Sequence, residues 1–303
     1  MKICVVGGGP SGLYISKALL SLSHKVDLYE KSSKLYGLFN YNLMPKTPNL
    51  LPVHENFRYY LNTEITPYKL KSIENCYDAF VLALGPGPER KLIIPGSEHC
   101  RGALEILNTL PTYRNLCIIG MGNTAMNIIR RYFNGKRNID SITVIGRKDP
   151  LNSAFSNYEL GCVYSIKDLN IKPTGYFDLN SDNITNDNKR KLERRIKLLK
   201  TKTNGNRTLN LLFNHKPVKI ENLSDKKIVT LKNIKTGKTY KEAFDGVISS
   251  IGFSDNNILE YFKDFKKPIF VVGMCKFPYK NISEIRNDAI EVANKINNLN
   301  INK

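Results

Sequence analysis

No apolar run in this 303-residue chain approaches the roughly 20 residues that a membrane-crossing helix requires, and the mean hydropathy is −0.32, so a helical membrane span is excluded. Cysteine is sparse and scattered. Cys4, Cys76, Cys100, Cys117, Cys162 and Cys275 form no close pair, which excludes a dithiol redox centre and a zinc site of cysteine spacing. The spacing fits reduced thiols in a cytosol or matrix compartment. Cys4 and Cys117 fall in apolar, strand-like runs and read as core residues. No other metal-ligating cluster is apparent. Acidic residues are outnumbered, 27 against 46 Lys and Arg, giving a net charge of +19 and a pI of about 9.6. That excess favours an acidic partner (nucleic acid, anionic membrane or acidic protein), while a general enrichment in Lys and Asn yields the same imbalance. The cations are dispersed and form no recognisable nucleic-acid-binding module, so nucleic acid is not expected. A strand-like run begins at Lys2, which leads to the expectation that no cleavable presequence precedes it.

What is present is a duplicated unit. Lys2 to Val6 reads as a buried strand, Gly7, Gly9 and Gly12 punctuate the turn with Pro10 and Ser11 between them, Leu13 to Leu22 reads as a helix, and Lys25 to Tyr29 is a second strand ending at Glu30. The pattern recurs: strand Leu116 to Ile119, turn residues Gly120, Gly122 and Ala125, helix Met126 to Tyr132, strand Ser141 to Ile145, then Gly146, Arg147 and Lys148. A strand, a glycine-rich turn and a helix in this order are the fingerprint of dinucleotide binding. Tyr77 to Gly87 and Asp245 to Phe253 each read as a strand entering a glycine loop. These features predict an α/β fold with two Rossmann-like, dinucleotide-binding domains. Residues 1–110 and 251–303 would form the first domain, with residues 111–250 inserted as the second and the crossings near Pro111 and Gly252. The strand Ile269 to Val272 and a helix after Asn281 would return to the first domain. Asn180 to Asn188 is expected to be a loop.

The two turns differ where it matters chemically. In the first, Gly7 permits the bend, Gly9 admits a pyrophosphate to the backbone, Gly12 lets the helix pack close, and the helix N-terminus offers N–H groups to the phosphates. Glu30 can accept from a ribose diol and would repel a 2′-phosphate, so this site suits FAD or NAD. The second strand of the other unit ends in Arg147 and Lys148, two cations that suit the 2′-phosphate of NADP. One diol-reading and one phosphate-reading site on one chain point to FAD plus NADP.

The segments ICVVGGGPSGLY, YEK, YGLFNYNLMPKTP, YDAFVLALGPGPERKLIIPG, IIGMGNTAMNI, VIGRKDPLNSAFSNYEL, SSIGF and VVGMCK make the chain resemble the adrenodoxin-reductase type of ferredoxin–NADP reductase along nearly its whole length. The stretch from Arg147 to Leu160 is the most specific, since it belongs to that family's NADP site. The resemblance implies FAD in the first domain, reduced by NADPH and passing single electrons to an acidic 2Fe–2S ferredoxin. Glu30, Gly37 and Leu38 match FAD-contacting positions, and Lys31, Gly85, Gly273, Met274, Asn281 and Ile282 complete the candidates on that side. Gly120, Gly122, Asn123, Thr124 and Ala125 would hold the NADP pyrophosphate and Arg147 and Lys148 the 2′-phosphate. Glu159 would lie toward the nicotinamide, and Glu159 and Lys276 are the candidates for orienting the reactants. The chain departs from the family at several points. It has no tryptophan, and the family's Gly-Trp is Gly273-Met274. Asn281 replaces a small Gly, Thr47 a His, Asn127 an Asp and Lys148 an Arg. The loops around Pro111 to Asn115 and before Ile269 are short.

The expected chemistry asks little of acids and bases, because the cofactors carry the hard steps. Thioredoxin- and glutathione-reductase-like enzymes are excluded for want of a cysteine pair, and the His-containing motif of flavin monooxygenases is missing. Two alternatives stay open: the electron-input subunit of a glutamate-synthase-like complex, although its cysteine-rich iron–sulfur module is not in this sequence, and a degenerate flavin- or nucleotide-binding protein with reduced turnover. The run KRKLERRIKLLK, Lys189 to Lys200, reads as a helix. Leu192, Ile196 and Leu199 would be its buried face, and Arg190, Arg194 and Lys197 a solvent-facing cationic stripe for docking the ferredoxin. A monomer is expected, in a mitochondrion or a mitochondrion-derived organelle, with the cytoplasm as the alternative.

Overall fold

The computed structural model describes residues 1–41, 49–135, 138–174, 186–254, 265–276 and 282–301. The chain divides into two compact units, Met1–Pro88 with Phe253–Lys303, and Glu89–Gly252.

In the first unit, β1 (Lys2–Val6), β2 (Lys25–Tyr29), β3 (Phe57–Tyr60), β4 (Ala79–Leu82) and β14 (Ile269–Val271) form a parallel sheet in the order β14-β4-β1-β2-β3. Side chains along a strand alternate between its faces. Ile3 and Val5 therefore enter one core with Leu13, Ile15 and Leu19 of α1 (Pro10–Ser21) and Ala289, Val292 and Ile296 of α7 (Ile282–Ile301). Cys4 and Val6 enter the opposite core with Phe80, Leu82 and Leu70 of α2 (Pro67–Ser72).

In the second unit, β5 (Arg101–Gly102), β6 (Asn115–Ile119), β7 (Ser141–Ile145), β8 (Leu169–Thr174), β9 (Arg207–Leu212) and β13 (Gly246–Ser249) form a second parallel sheet, ordered β5-β13-β6-β7-β9-β8. One face is covered by an antiparallel meander of β10 (His215–Leu223), β11 (Lys226–Asn233) and β12 (Thr239–Phe244). Ile220, Val229, Leu231 and Phe244 of the meander pack on Cys117, Ile119 and Ile145. The helices α3 (Ala103–Thr109), α4 (Asn123–Asn134), α5 (Asn157–Tyr164) and α6 (Asn186–Lys200) pack one against the next. On α6, Ile196 and Leu199 are buried and Leu192 half-buried, while Arg190, Arg194 and Lys197 are exposed, as their spacing predicts.

The structure differs from the sequence expectation in four places. The first crossing lies at Pro88 and not near Pro111, because β5 pairs with β13 and Arg131 Nη1 on α4 donates to the Leu107 carbonyl of α3, tying residues 89–110 to the second unit. Both dinucleotide helices start at their glycine turn, α1 at Pro10 and α4 at Asn123, since the turn's own N–H groups already belong to the first helical turn. The last part of the expected loop Asn180 to Asn188 is helical from Asn186, and its beginning lies outside the described residues. The meander has no counterpart in the expectation. Thr47 and Asn281 also lie outside the described residues.

Candidate functional site

The two glycine turns are built alike. Gly7 has φ +108° and Gly120 φ +109°, a region that L side chains rarely adopt. A Cβ on Gly7 would overlap the Ala83 carbonyl, and one on Gly120 the Ser250 carbonyl, each the backbone of the neighbouring parallel strand's exit loop. Gly7 N donates to Tyr29 O at 2.8 Å and Gly120 N to Ile145 O at 2.9 Å. The helices close on the turns in the same way, Leu13 N to Gly9 O at 3.0 Å and Met126 N to Gly122 O at 3.1 Å. At the third position the units part: a Cβ on Gly12 would overlap the Gly7 carbonyl, whereas Ala125 is accommodated and fully buried.

Between these crowded points lie two open ones. A Cβ on Gly9 or on Gly122 would meet nothing within 4 Å. Each of these residues is the N-cap of its helix, and neither helix has a side-chain cap. At three other helices a side chain meets the first turn: Thr66 accepts from Lys69 N at α2, Ser156 from Glu159 N at α5, and Glu89 from Leu104 N at α3. The first turns of α1 and α4 thus have no side-chain cap and are each preceded by an open glycine, the arrangement in which a helix N-terminus receives a phosphate. The residues fit a dinucleotide at both turns.

The strand ends carry the difference in charge. Glu30 is buried, and its Oε2 accepts from Gly8 N at 2.7 Å while Oε1 accepts from Ser32 N at 2.8 Å. These bonds fix the carboxylate against the turn and leave it further acceptor capacity. Arg147 and Lys148 follow β7 and are exposed, with no described carboxylate paired to either. Lys31 is exposed, Gly37 (φ +48°) brings a would-be Cβ to 3.3 Å from Gly9 Cα, and Leu38 is half-buried beside it. Gly85 also has positive φ, +78°. Gly273 is pressed onto α1, for a Cβ there would overlap Ser11 Oγ. Its N–H donates to Asp288 Oδ2 at 2.6 Å. Met274 and Ile282 are half-buried and Lys276 is exposed.

Glu159 is not a surface charge. It is buried and ion-paired at 2.9 Å with Arg130, itself 2% exposed, whose Nη2 also donates to Asn127. Burial holds the Glu159 carboxyl above its ordinary value, and the Arg130 charge opposes that. Asn123 Oδ1 accepts from Ser156 N at 2.8 Å, so it fastens the segment after β7 to the second glycine turn. That segment is further shaped by Asp149, which accepts from Leu151 N and Asn152 N. Burial pushes the Asp149 carboxyl up, but these donors together with Asn152 Nδ2 leave it below its ordinary value.

Three participants escaped the sequence reading. Asp288 is a carboxylate on the apolar stripe of α7 between Ile285 and Val292, an anomaly in the pattern that was itself a signal. Arg130 sits likewise among the buried residues of α4. Arg195 hides in a run of cations and gave no signal beyond its phase on α6.

Two glycine turns of one design, each in a parallel sheet, define a two-dinucleotide fold of the flavoprotein-reductase kind. The sequence is similar to mitochondrial NADPH:adrenodoxin oxidoreductases: 28% identical over 204 residues to that of Bos taurus, covering 52% of this chain and 41% of the bovine protein, and 24% over 247 residues to that of Drosophila melanogaster, covering 66% and 53%. The matched region thus spans about half or less of these relatives. The fold matches Mycobacterium tuberculosis FprA in complex with NADPH, with a TM-score of 0.79, 19% identity, and coverage of 99% of this chain and 84% of that one. It also matches Lactococcus lactis thioredoxin reductase at a TM-score of 0.60 and 15% identity, over 97% of both chains. No protein-family model matches the chain. No described helix is long and apolar enough to cross a membrane.

Proposed function

We propose that the chain is an FAD-dependent oxidoreductase that takes electrons from NADPH and delivers them to a small acidic iron–sulfur ferredoxin. The observation that carries this reading is the pair of equivalent open glycine turns with opposite charge beyond them, Glu30 at one and Arg147 with Lys148 at the other. FAD would lie on the Gly9 turn and NADPH on the Gly122 turn; when bound, they supply hydride transfer and one-electron release. The protein's own part is placement. The uncapped N–H groups of α1 and α4 hold phosphates, Glu30 selects a ribose diol and repels a 2′-phosphate, and Arg147 and Lys148 attract one. Glu159, locked to Arg130, acts by fixing α5 against α4 rather than by touching a reactant.

The ferredoxin partner rests on the names of the matched relatives and on the exposed cations of α6. Mitochondrial residence follows the same relatives, and fractionation of cells expressing a tagged chain tests it. The cofactor test is direct: the purified protein shows flavin absorbance bands that bleach on anaerobic addition of NADPH. A colourless protein that cannot be reconstituted with FAD, or a flavin unaffected by NADPH, overturns the proposal.

A further inference from the structure

Arg195 differs from its neighbours on α6. Arg190, Arg194 and Lys197 point to solvent, whereas Arg195 is 4% exposed. Its guanidinium donates to a converging set of acceptors on the segment after β7: Nη1 to the carbonyls of Leu151 at 2.7 Å, Ser153 at 3.1 Å and Pro150 at 3.4 Å, Nη2 to that of Phe155 at 2.7 Å, and Nε to Asn157 Oδ1 at 2.9 Å. The Phe155 ring lies 4.8 Å from its Cζ. No described carboxylate forms an ion pair with it; Asp149 acts on it only at a distance. A buried cation is costly unless compensated, and here backbone carbonyl dipoles provide the compensation.

A trans peptide points its C=O and the following N–H in opposite directions. Drawing the carbonyls of Leu151, Ser153 and Phe155 inward therefore turns the N–H groups of Asn152, Ala154 and Ser156 away from the guanidinium. The Ser156 N–H reaches Asn123 Oδ1, one residue past Gly122. A continuous chain of hydrogen bonds thus runs from Arg195 through the segment to the second glycine turn. The same segment begins at Arg147 and Lys148.

We propose that Arg195 is a positioning residue for the second nucleotide: by drawing the carbonyls of residues 151–155 inward, it sets Arg147 and Lys148 relative to the Gly122 turn and so sets the preference for a 2′-phosphate. The inference rests on the NADPH reading above. The field of the guanidinium charge, which no described carboxylate neutralises, is carried outward by the aligned peptide dipoles and favours an anion on the same side.

The test uses the whole chain, with 2′,5′-ADP and 5′-AMP as calorimetric probes. Wild type binds 2′,5′-ADP more tightly. R195M lowers the ratio of the two affinities by about tenfold, the worth of one charge-assisted contact, while flavin content, governed by the other unit, stays unchanged. R195K, which keeps the charge but not the planar fork, falls between. If R195M does not fold, N157A, which removes the Nε acceptor together with the Asn157 Nδ2 bond to the Lys191 carbonyl but keeps the guanidinium and its carbonyl partners, takes its place, and it too lowers the ratio. A purely structural role predicts a lower melting temperature with an unaltered ratio, and that result in folded R195K and R195M, or in R195K and N157A, overturns the inference alone. A wild type that does not discriminate between the probes overturns the NADPH reading as well.

Discussion

Replacing glycines one at a time separates the fold from the ligand in this architecture. At Gly9 the backbone has φ −72° and ψ −178°, which alanine adopts without strain, and an added Cβ touches no protein atom within 4 Å. Two small terms then oppose each other. Restricting the unfolded chain stabilises by about 0.4–1 kcal/mol, and losing glycine from an N-cap costs about the same, so the apoprotein of Gly9→Ala keeps its stability to within about 1 kcal/mol. At Gly12 the outcome is opposite. The Cβ would sit well under 3.0 Å from the Gly7 carbonyl oxygen, which is backbone and cannot rotate away. Helix α1 must retreat by on the order of 1 Å, and overpacking of this kind costs about 1–3 kcal/mol or more. The ligand effect is reversed at the open position. The Gly9→Ala methyl occupies the space a pyrophosphate needs, and loss of one or two charge-assisted contacts of about 1.5–3 kcal/mol each weakens FAD by about tenfold to about twenty-thousandfold. Thermal unfolding of the apoproteins and the flavin-to-protein ratio after gel filtration read the two effects independently. Gly122→Ala does the same to NADPH binding while leaving flavin content alone. A Gly9→Ala protein that holds FAD like wild type, or whose apoprotein melts as early as that of Gly12→Ala, refutes the reasoning.

Four further outcomes are expected. Replacing Arg147 and Lys148 together by Ala removes most of an NADPH-over-NADH preference of about 100-fold or more, measured as the ratio of kcat/KM values; a wild type that uses NADH equally well contradicts the assignment. R190E with R194E raises the KM for an acidic ferredoxin and flattens its salt dependence while NADPH-to-dye activity is kept; unchanged ferredoxin kinetics place the docking surface elsewhere. Because the Asp149 carboxyl is held below its ordinary value, its contribution to stability is full above the unfolded-state value and is lost as pH falls through the lower folded one; D149N removes that acid-dependent component from the unfolding curve, and an identical curve for the variant counts against the turn. Breaking the buried pair with E159Q or R130M alone costs about 3–5 kcal/mol, whereas replacing both partners by apolar residues costs less than either single change; additive losses in urea unfolding contradict a coupled pair.

How far the sequence revealed all this depends on where each signal was local. The glycine turns were legible because φ near +108° and backbone–backbone crowding leave glycine as the one tolerated residue, so the constraint is written at Gly7 and Gly120 themselves. The strands around them were legible as short apolar runs, and α6 by its 3.6-residue period. The meander was not, because Lys216, Lys219, Lys232 and Lys241 load its outward face with charge and a register shift between Pro217 and Lys219 breaks the alternation. Its inward residues declare themselves only against Cys117 and Ile119, more than ninety positions earlier in the chain. The first crossing was misplaced for a related reason. The two residues of β5 belong to the second unit through pairing with β13, a contact that no local pattern encodes.

Arg195 marks the limit of reading chemistry from composition. In the run KRKLERRIKLLK every cation looks alike, and charge alone assigns all of them to solvent. Phase separates them. Arg195 precedes Ile196, and both fall on the arc of α6 that also buries Leu199. A charged side chain on that arc must find compensation or unfold the helix end, and residues 150–157 provide it in carbonyls rather than carboxylates. That choice of partner carries functional weight. A carboxylate would have cancelled the charge, whereas carbonyl dipoles redirect it, and the positive end of the Phe155–Ser156 peptide is presented to Asn123, next to the open Gly122 turn. Adding an acid to the segment while leaving its carbonyl acceptors in place, as in S153D, introduces a negative charge on the residue whose carbonyl Arg195 binds and so separates the two functions: the backbone carbonyls still pin the segment, while the affinity for 2′,5′-ADP falls. If S153D binds the probe as tightly as wild type, the charge of Arg195 has no reach beyond its own pocket, and only its hydrogen bonds matter.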